Sequence, residues 1–175
     1  AHAPGALYRD SHGTDHRVGA CRHSDALIFS FHAVKHIAMG EGGALLTNDP
    51  DVADKARLMR NHGMNRNPND WQHAPEPGAP WYYEMQELGW NYHIPDILCA
   101  LGRSQLQRLE EGIERRAHMV ALYEKLLRGI NNITLPPQLP EGYRHVWHLY
   151  PLAVDFAAIG LTRSEVMDKL AARGV

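Results

Sequence analysis

The sequence predicts an α/β protein, and three observations carry the prediction. Two short apolar runs, residues 25–32 and 43–47, flank a glycine-rich turn. From Pro95 a stretch of about 30 residues repeats its apolar positions at steps of three, four or seven. Two helix-start signals, Asp49-Pro50 and Thr162-Arg163-Ser164-Glu165, punctuate the rest. Composition is that of a globular chain: 175 residues, 44% hydrophobic and 22% charged. Eighteen Lys and Arg against twenty Asp and Glu give a net charge of −2. No basic block exceeds Arg115-Arg116, so nucleic acid is not an expected partner. No apolar run approaches the roughly 18 residues of a membrane span, so a membrane is not expected either. Cys21 and Cys99 make no disulfide framework in a chain of this length, and the expected compartment is a reducing cytoplasm.

Taken in order, Gly5 to Arg22 is polar and reads as a surface loop. Asp25-Ala-Leu-Ile-Phe-Ser-Phe-His32 suits a strand covered on both faces, and Gly43-Ala-Leu-Leu-Thr47 a second strand. Asp49 then caps a helix whose first-turn residue is Pro50, with Val52, Ala56 and Met59 on one face and an expected stop at Gly63. Residues 64–80 hold Pro68, Pro75, Pro77 and Pro80 among Asn, Asp and Gly, a long loop of the kind that is more often functional than idle. Pro95-Asp96 opens the long helical stretch, either one bent helix or two in sequence. Gly129 to Pro140 breaks it and marks a domain boundary. Trp147 to Asp155 reads as an edge or bulged strand because of Pro151. The capping box at Thr162 starts a last helix ending at Gly174. Both chain ends read as cuts through a larger protein, and most of a sheet is expected to lie outside the chain.

The residues that carry chemistry follow the first strand. Ser30-Phe31-His32-Ala33-Val34-Lys35 supplies a hydroxyl, an imidazole and an amine within six residues, and Gly40-Glu41-Gly42-Gly43 follows. An amine whose surroundings favour its neutral form makes Schiff bases with carbonyl compounds. A strand-end hydroxyl suits a phosphate oxygen, and the glycines let backbone pass close to a flat ligand. His32 either borders such a ligand or is satisfied by a neighbour, and Glu41 shapes the turn. Trp81-Tyr82-Tyr83 reads as interface or core. His12, His16, Cys21 and His23 cluster along the sequence, but their spacing matches no Cys/His pattern of fixed geometry and only one thiol is present. No metal is expected.

Ser-Phe-His-x-x-Lys followed by Gly-Glu-Gly-Gly and Thr-Asn resembles the pyridoxal-phosphate sugar aminotransferases of the DegT/DnrJ/EryC1/StrS family. The resemblance continues through Arg60-Asn61-His62-Gly63, residues 87–109 and Trp147-His148-Leu149-Tyr150. It implies the fold type I architecture, like that of aspartate aminotransferase. Residues 1–130 would be part of the large cofactor-binding domain, with the long helix and a dimer-interface loop at 64–92. Residues 131–175 would start the small C-terminal α/β domain. The resemblance further implies that Lys35 holds pyridoxal 5'-phosphate as a Schiff base and, once freed, moves the proton. Ser30 matches the family's phosphate contact, and His2 matches a side chain against the cofactor ring near its 3′ oxygen. Asn91 matches a residue that reaches the cofactor phosphate in the neighbouring subunit, which implies a homodimer with a shared site. The aspartate that pairs with the pyridine nitrogen would lie upstream of Ala1. The implied reaction takes an amino group from L-glutamate to C4 of a UDP-4-keto-6-deoxy-HexNAc. Within the family, residues 18–22 and 80–89 are most similar to the branch of pseudaminic acid synthesis. Rival readings are an aminotransferase for another UDP- or dTDP-keto-hexose, a non-catalytic relative, and a sugar dehydratase. Lys35 argues against the dehydratase, which resembles the family but carries histidine at that position.

Overall fold

The computed structural model describes residues 2–73 and 75–175. Each strand finds a single partner, giving four two-stranded antiparallel sheets among the described residues. β1 (Leu7–Arg9) and β2 (Asp15–Arg17) form a hairpin where the sequence predicts a surface loop. The strands are three residues long and their register is held by polar groups, Arg9 Nε to Asp15 at 2.7 Å among them, so no apolar alternation announces them. β3 (Ala26–Ser30) and β4 (Gly43–Thr47) pair from Ala26↔Thr47 to Ser30↔Gly43. Phe29 is buried on one face, whereas the cross-strand pair Ile28 and Leu45 is 60% and 45% exposed. The predicted strand is therefore covered on one face, because a two-stranded sheet leaves the Ile28–Leu45 side without a covering layer.

α1 (Pro50–Met59) starts as predicted: Asp49 Oδ1 accepts the N–H groups of Asp51 (2.8 Å) and Val52 (3.3 Å). It stops short of the predicted Gly63. Asn61 and Gly63 both donate N–H to Leu58 O, and Gly63 sits at φ +70, a conformation open to glycine. That reversal sends the chain into β5 (Met64–Asn65), which pairs with β6 (Glu84–Met85) across the proline-rich loop. It also aligns Asn61 with Asn91.

The long helical pattern resolves into α2 (Asp96–Gln107) and α3 (Leu109–Leu127), with Arg108 out of helical geometry between them (φ −97°, ψ 5°). α2 meets the turn between β3 and β4 at Gly102, where Met39 Sδ stands 3.0 Å from the place a Cβ would take. Met39, Ile37 and Phe29 are buried there. A second core joins Ala6 of the hairpin, Ile113 of α3 and Val146, with Ala3, Val18 and Leu109 around them. Each fully buried aliphatic or aromatic side chain of such a core contributes about 1.5–3 kcal/mol. Leu7 and Arg144 exchange backbone hydrogen bonds (3.1 and 3.0 Å), and the Arg144 guanidinium ties Gly5 O to Glu110.

The strand predicted over Trp147 to Asp155 shrinks to β8 (Ala153–Val154), paired with β7 (Ile133–Thr134). Trp147 is in the left-handed region (φ +49) and Pro151 has no N–H to give a ladder. α4 (Arg163–Ala171) carries the predicted capping box, with Thr162 and Glu165 bonded reciprocally. Among the described residues no helix is long and apolar enough to cross a membrane.

Candidate active site

Ser30 ends β3, and from there the chain makes a closed turn back to Gly43. Phe31 N–H donates to Gly42 O (2.8 Å) and Met39 N–H to Phe31 O (3.0 Å), so both ends of the turn are pinned. Gly42 lies at φ +152 with Met39 Sδ and Ile94 Cδ1 standing 3.2 and 3.3 Å from the place a Cβ would take, so a side chain there would be strained and would push on both. Inside the turn, Lys35 N–H donates to His32 O (2.9 Å). Ile37 and Met39 anchor the turn in the core while Lys35 itself is half-buried. The fold thus fixes the backbone of Lys35 while its side chain stays half-buried at the edge of the turn.

Around Lys35 the chain gathers groups from distant elements. Lys35 and His36 line a cavity of about 260 Å³ with Gln105, Arg108, Glu111, Arg115 and Arg116. His36 is buried and its Nε2–H donates to Val146 O at 2.8 Å, while its Nδ1 has no partner. The His148 ring lies 5.5 Å from the His36 ring and 4.6 Å from that of His2. His2 and His148 also open onto a cavity of about 470 Å³ under Trp147 and Pro136. His2 is exposed, yet partial desolvation of its imidazole, with the Lys35 charge adding to it, lowers its pKa from the usual value. His148 is lowered by burial first, then by His2 and Lys35, then by Arg116. Burial lowers His36 as well, outweighing its bond to Val146 O, with Arg116 and His148 contributing. The first cavity is thus basic, with one lysine and three arginines against Glu111, which pairs with Arg115, and three imidazoles held toward the neutral form lie near it.

Of the residues singled out in the sequence, Lys35 lines the first cavity and the exposed His2 the second, with the rings of His36 and His148 between them. Ser30 stands at the head of the same turn, where its Oγ accepts the His32 N–H at 3.4 Å. His32 is exposed, and its Nε2 lies 3.6 Å from Glu41 Oε1, so these two residues face each other across the turn. Asn91 is exposed on the segment that pairs with Asn61; the backbone bonds there run from His62 to Trp90 and from Tyr92 to Arg60. Trp81 and Tyr83 are exposed and Tyr82 is half-buried against Trp71, so this aromatic group is mostly surface in the chain. His36, His148 and Arg116 are members of the site that motif and periodicity did not single out. The approach of His148 to His36 goes with a bond between residues 110 apart, His36 and Val146, for which a sequence carries no local signal.

The chain matches the DegT/DnrJ/EryC1/StrS aminotransferase family over residues 1–175. It is 40% identical over 146 residues to the spore coat polysaccharide biosynthesis protein SpsC of Bacillus subtilis (strain 168), which spans 83% of this chain and 36% of that protein. Among solved structures it is similar to Helicobacter pylori PseC, an aminotransferase involved in the biosynthesis of pseudoaminic acid. The TM-score there is 0.80 at 28% identity, covering 99% of this chain and 42% of that one. It is similar also to S. venezuelae DesV, with a TM-score of 0.76 at 31% identity, covering 99% and 39%. The chain spans about two-fifths of the length of these relatives. The fold shared with these structures is the fold type I architecture of pyridoxal-phosphate enzymes, of which this chain is a part. Because the match runs through the Ser30–Lys35 turn and over the whole chain, the protein belongs to the DegT/DnrJ/EryC1/StrS aminotransferase family.

Proposed function

We propose that this chain carries the cofactor lysine of a sugar aminotransferase and that Lys35 is that lysine. The observation that carries the reading is its placement: a half-buried lysine on a pinned turn, next to the buried His36 and in a cavity lined by three arginines and Glu111. The residues present fit pyridoxal phosphate, the cofactor of the family. Lys35 offers an amine for its aldehyde, Ser30 a hydroxyl for its phosphate, and His2 a flat ring against its own. When bound, the cofactor supplies the electron sink through which an amino group leaves one carbon and joins another. Lys35 Nζ holds the cofactor between turnovers and carries the proton to and from the substrate carbon once released. Asn91 reaches the phosphate in a second subunit, so the working site belongs to a homodimer. In this reading residues 1–130 belong to the cofactor-binding domain and residues 131–175 start the small domain, which lends Val146 and His148 to the site. The expected compartment is the cytoplasm.

The substrates proposed are L-glutamate as amino donor and a UDP-4-keto-6-deoxy-HexNAc as acceptor. The product assigned is UDP-4-amino-4,6-dideoxy-N-acetyl-β-L-altrosamine, in pseudaminic acid synthesis. The likeness to the Helicobacter pylori enzyme supports that acceptor. The likeness to DesV supports a second reading, another UDP- or dTDP-keto-hexose. In the full-length protein, Lys35→Ala is expected to abolish amino transfer from glutamate while circular dichroism stays unchanged. Activity within a few-fold of wild type would overturn the assignment of Lys35. Parallel assays with UDP- and dTDP-linked keto sugars decide between the acceptors.

A further inference from the structure

A second group of side chains lies on the hairpin and is independent of the reading above. Asp10 sits at the turn of the hairpin, His16 on β2, and His23 in the segment that leads into β3. One ligand atom from each lies within 4.8 Å of those of the other two. Asp10 is held in place: its Oδ1 accepts the N–H groups of His12 and Thr14, both at 2.9 Å. Its Oδ2 is thereby turned to His16 Nε2, at 2.8 Å. The side chains of Asp10 and His16 are each only 15% exposed. The Tyr8 ring supports both imidazoles, at 5.3 Å from His16 and 5.9 Å from His23, and the two imidazoles meet edge to face at 5.2 Å. Cys21 takes no part, since its thiol is turned toward Leu46 O at 3.3 Å.

Two imidazole nitrogens and one carboxylate oxygen are the donor set of a zinc-type divalent ion. Ion–ligand bonds of about 2.1 Å place tetrahedral ligand atoms about 3.4 Å apart. The Asp10–His16 pair needs to open by only about half an ångström to reach that edge. His23, exposed at the third corner, completes the set by a turn of its side chain. The bonds from His12 and Thr14 to Asp10 are the outer support that orients a ligating carboxylate. The reading along the sequence expected no metal because it compared spacings with Cys/His patterns; the third ligand here is an aspartate that the hairpin turn delivers. We infer that Asp10, His16 and His23 form a binding site for a zinc-type divalent cation, with a fourth position open to water. An ion there ties the hairpin to the strand that presents Ser30.

The test titrates zinc chloride into chelator-treated, full-length protein by calorimetry near neutral pH, for wild type, His23→Ala and His12→Ala. The expected result is one equivalent bound per chain in wild type and His12→Ala, weakened at least about tenfold by His23→Ala. His23 makes no side-chain hydrogen bond among the described residues, so its removal leaves the Asp10–His16 pair intact. No zinc binding in wild type would overturn the inference: the pair is then only a hairpin brace. Equal binding in wild type and His23→Ala would overturn it as well, by placing the ion elsewhere.

Discussion

Glu84, 9% exposed, accepts the backbone N–H groups of Gln72 (2.6 Å) and His73 (2.8 Å) and the Tyr82 hydroxyl (2.8 Å). Burial pushes its carboxyl up, but those three donors and the nearby His73 more than reverse this and leave it below the ordinary glutamate value. A carboxyl depressed in the folded state contributes stability that is present above its unfolded pKa and is lost as pH falls through the folded value. The proline-rich loop is therefore expected to loosen at pH below the usual carboxylate range. Amide exchange of a peptide covering residues 70–73 should rise there in wild type and be high at every pH in Glu84→Ala. Identical exchange in both proteins would refute the role of Glu84. Little in the sequence around Glu84 announces it, because apart from Tyr82 its donors lie 11 and 12 residues away in a loop without periodicity. The turn that carries Lys35 is the opposite case: it is closed by local bonds, Lys35 N–H to His32 O and Met39 N–H to Phe31 O, and its glycines mark it in the sequence.

Elements whose signals are local were readable, and those held by distant partners were not. Asp49-Pro50 and Thr162–Glu165 start their helices as the residues dictate, since a cap needs only the next three residues. The β1–β2 hairpin and the short β7–β8 pair depend on contacts across the chain, Leu7 with Arg144 and Asp155 with Asn132, so their extents escaped a reading by pattern. The end of α1 combines a local signal, Gly63 folding back to Leu58 O, with a distant one, the pairing of Asn61 with Asn91. Asp49→Ala removes the side-chain acceptor for two N–H groups at an exposed helix start, and should cost about 1 kcal/mol. Chemical denaturation of the full-length protein checks this. An unchanged midpoint would mean that α1 is held by packing on β4 alone.

At the scale of the whole molecule, a long apolar and aromatic surface remains open: Trp81, Tyr83, Leu88, Trp90, Tyr92 and Ile97 are all more than 45% exposed. That surface brackets Asn91, the residue expected to serve a neighbouring subunit. A shared site makes a specific prediction for mixed dimers. Asn91→Ala should weaken cofactor retention, and mixing it with Lys35→Ala should recover part of the activity, because one site per mixed dimer keeps both residues. No recovery after subunit exchange would mean that each subunit builds its site alone. The α/β class and the family were legible from sequence because they rest on hydrophobic pattern and a compact motif. The histidine cluster was not, because it forms only when the segment at Val146 folds back on the turn.

The central claim is that Lys35 holds the cofactor. The most direct measurement is to incubate the full-length protein with pyridoxal phosphate, reduce it with borohydride and map the modified peptide by mass spectrometry. The account predicts a pyridoxyl group on Lys35. A stable adduct on another lysine, or none at all, would contradict it.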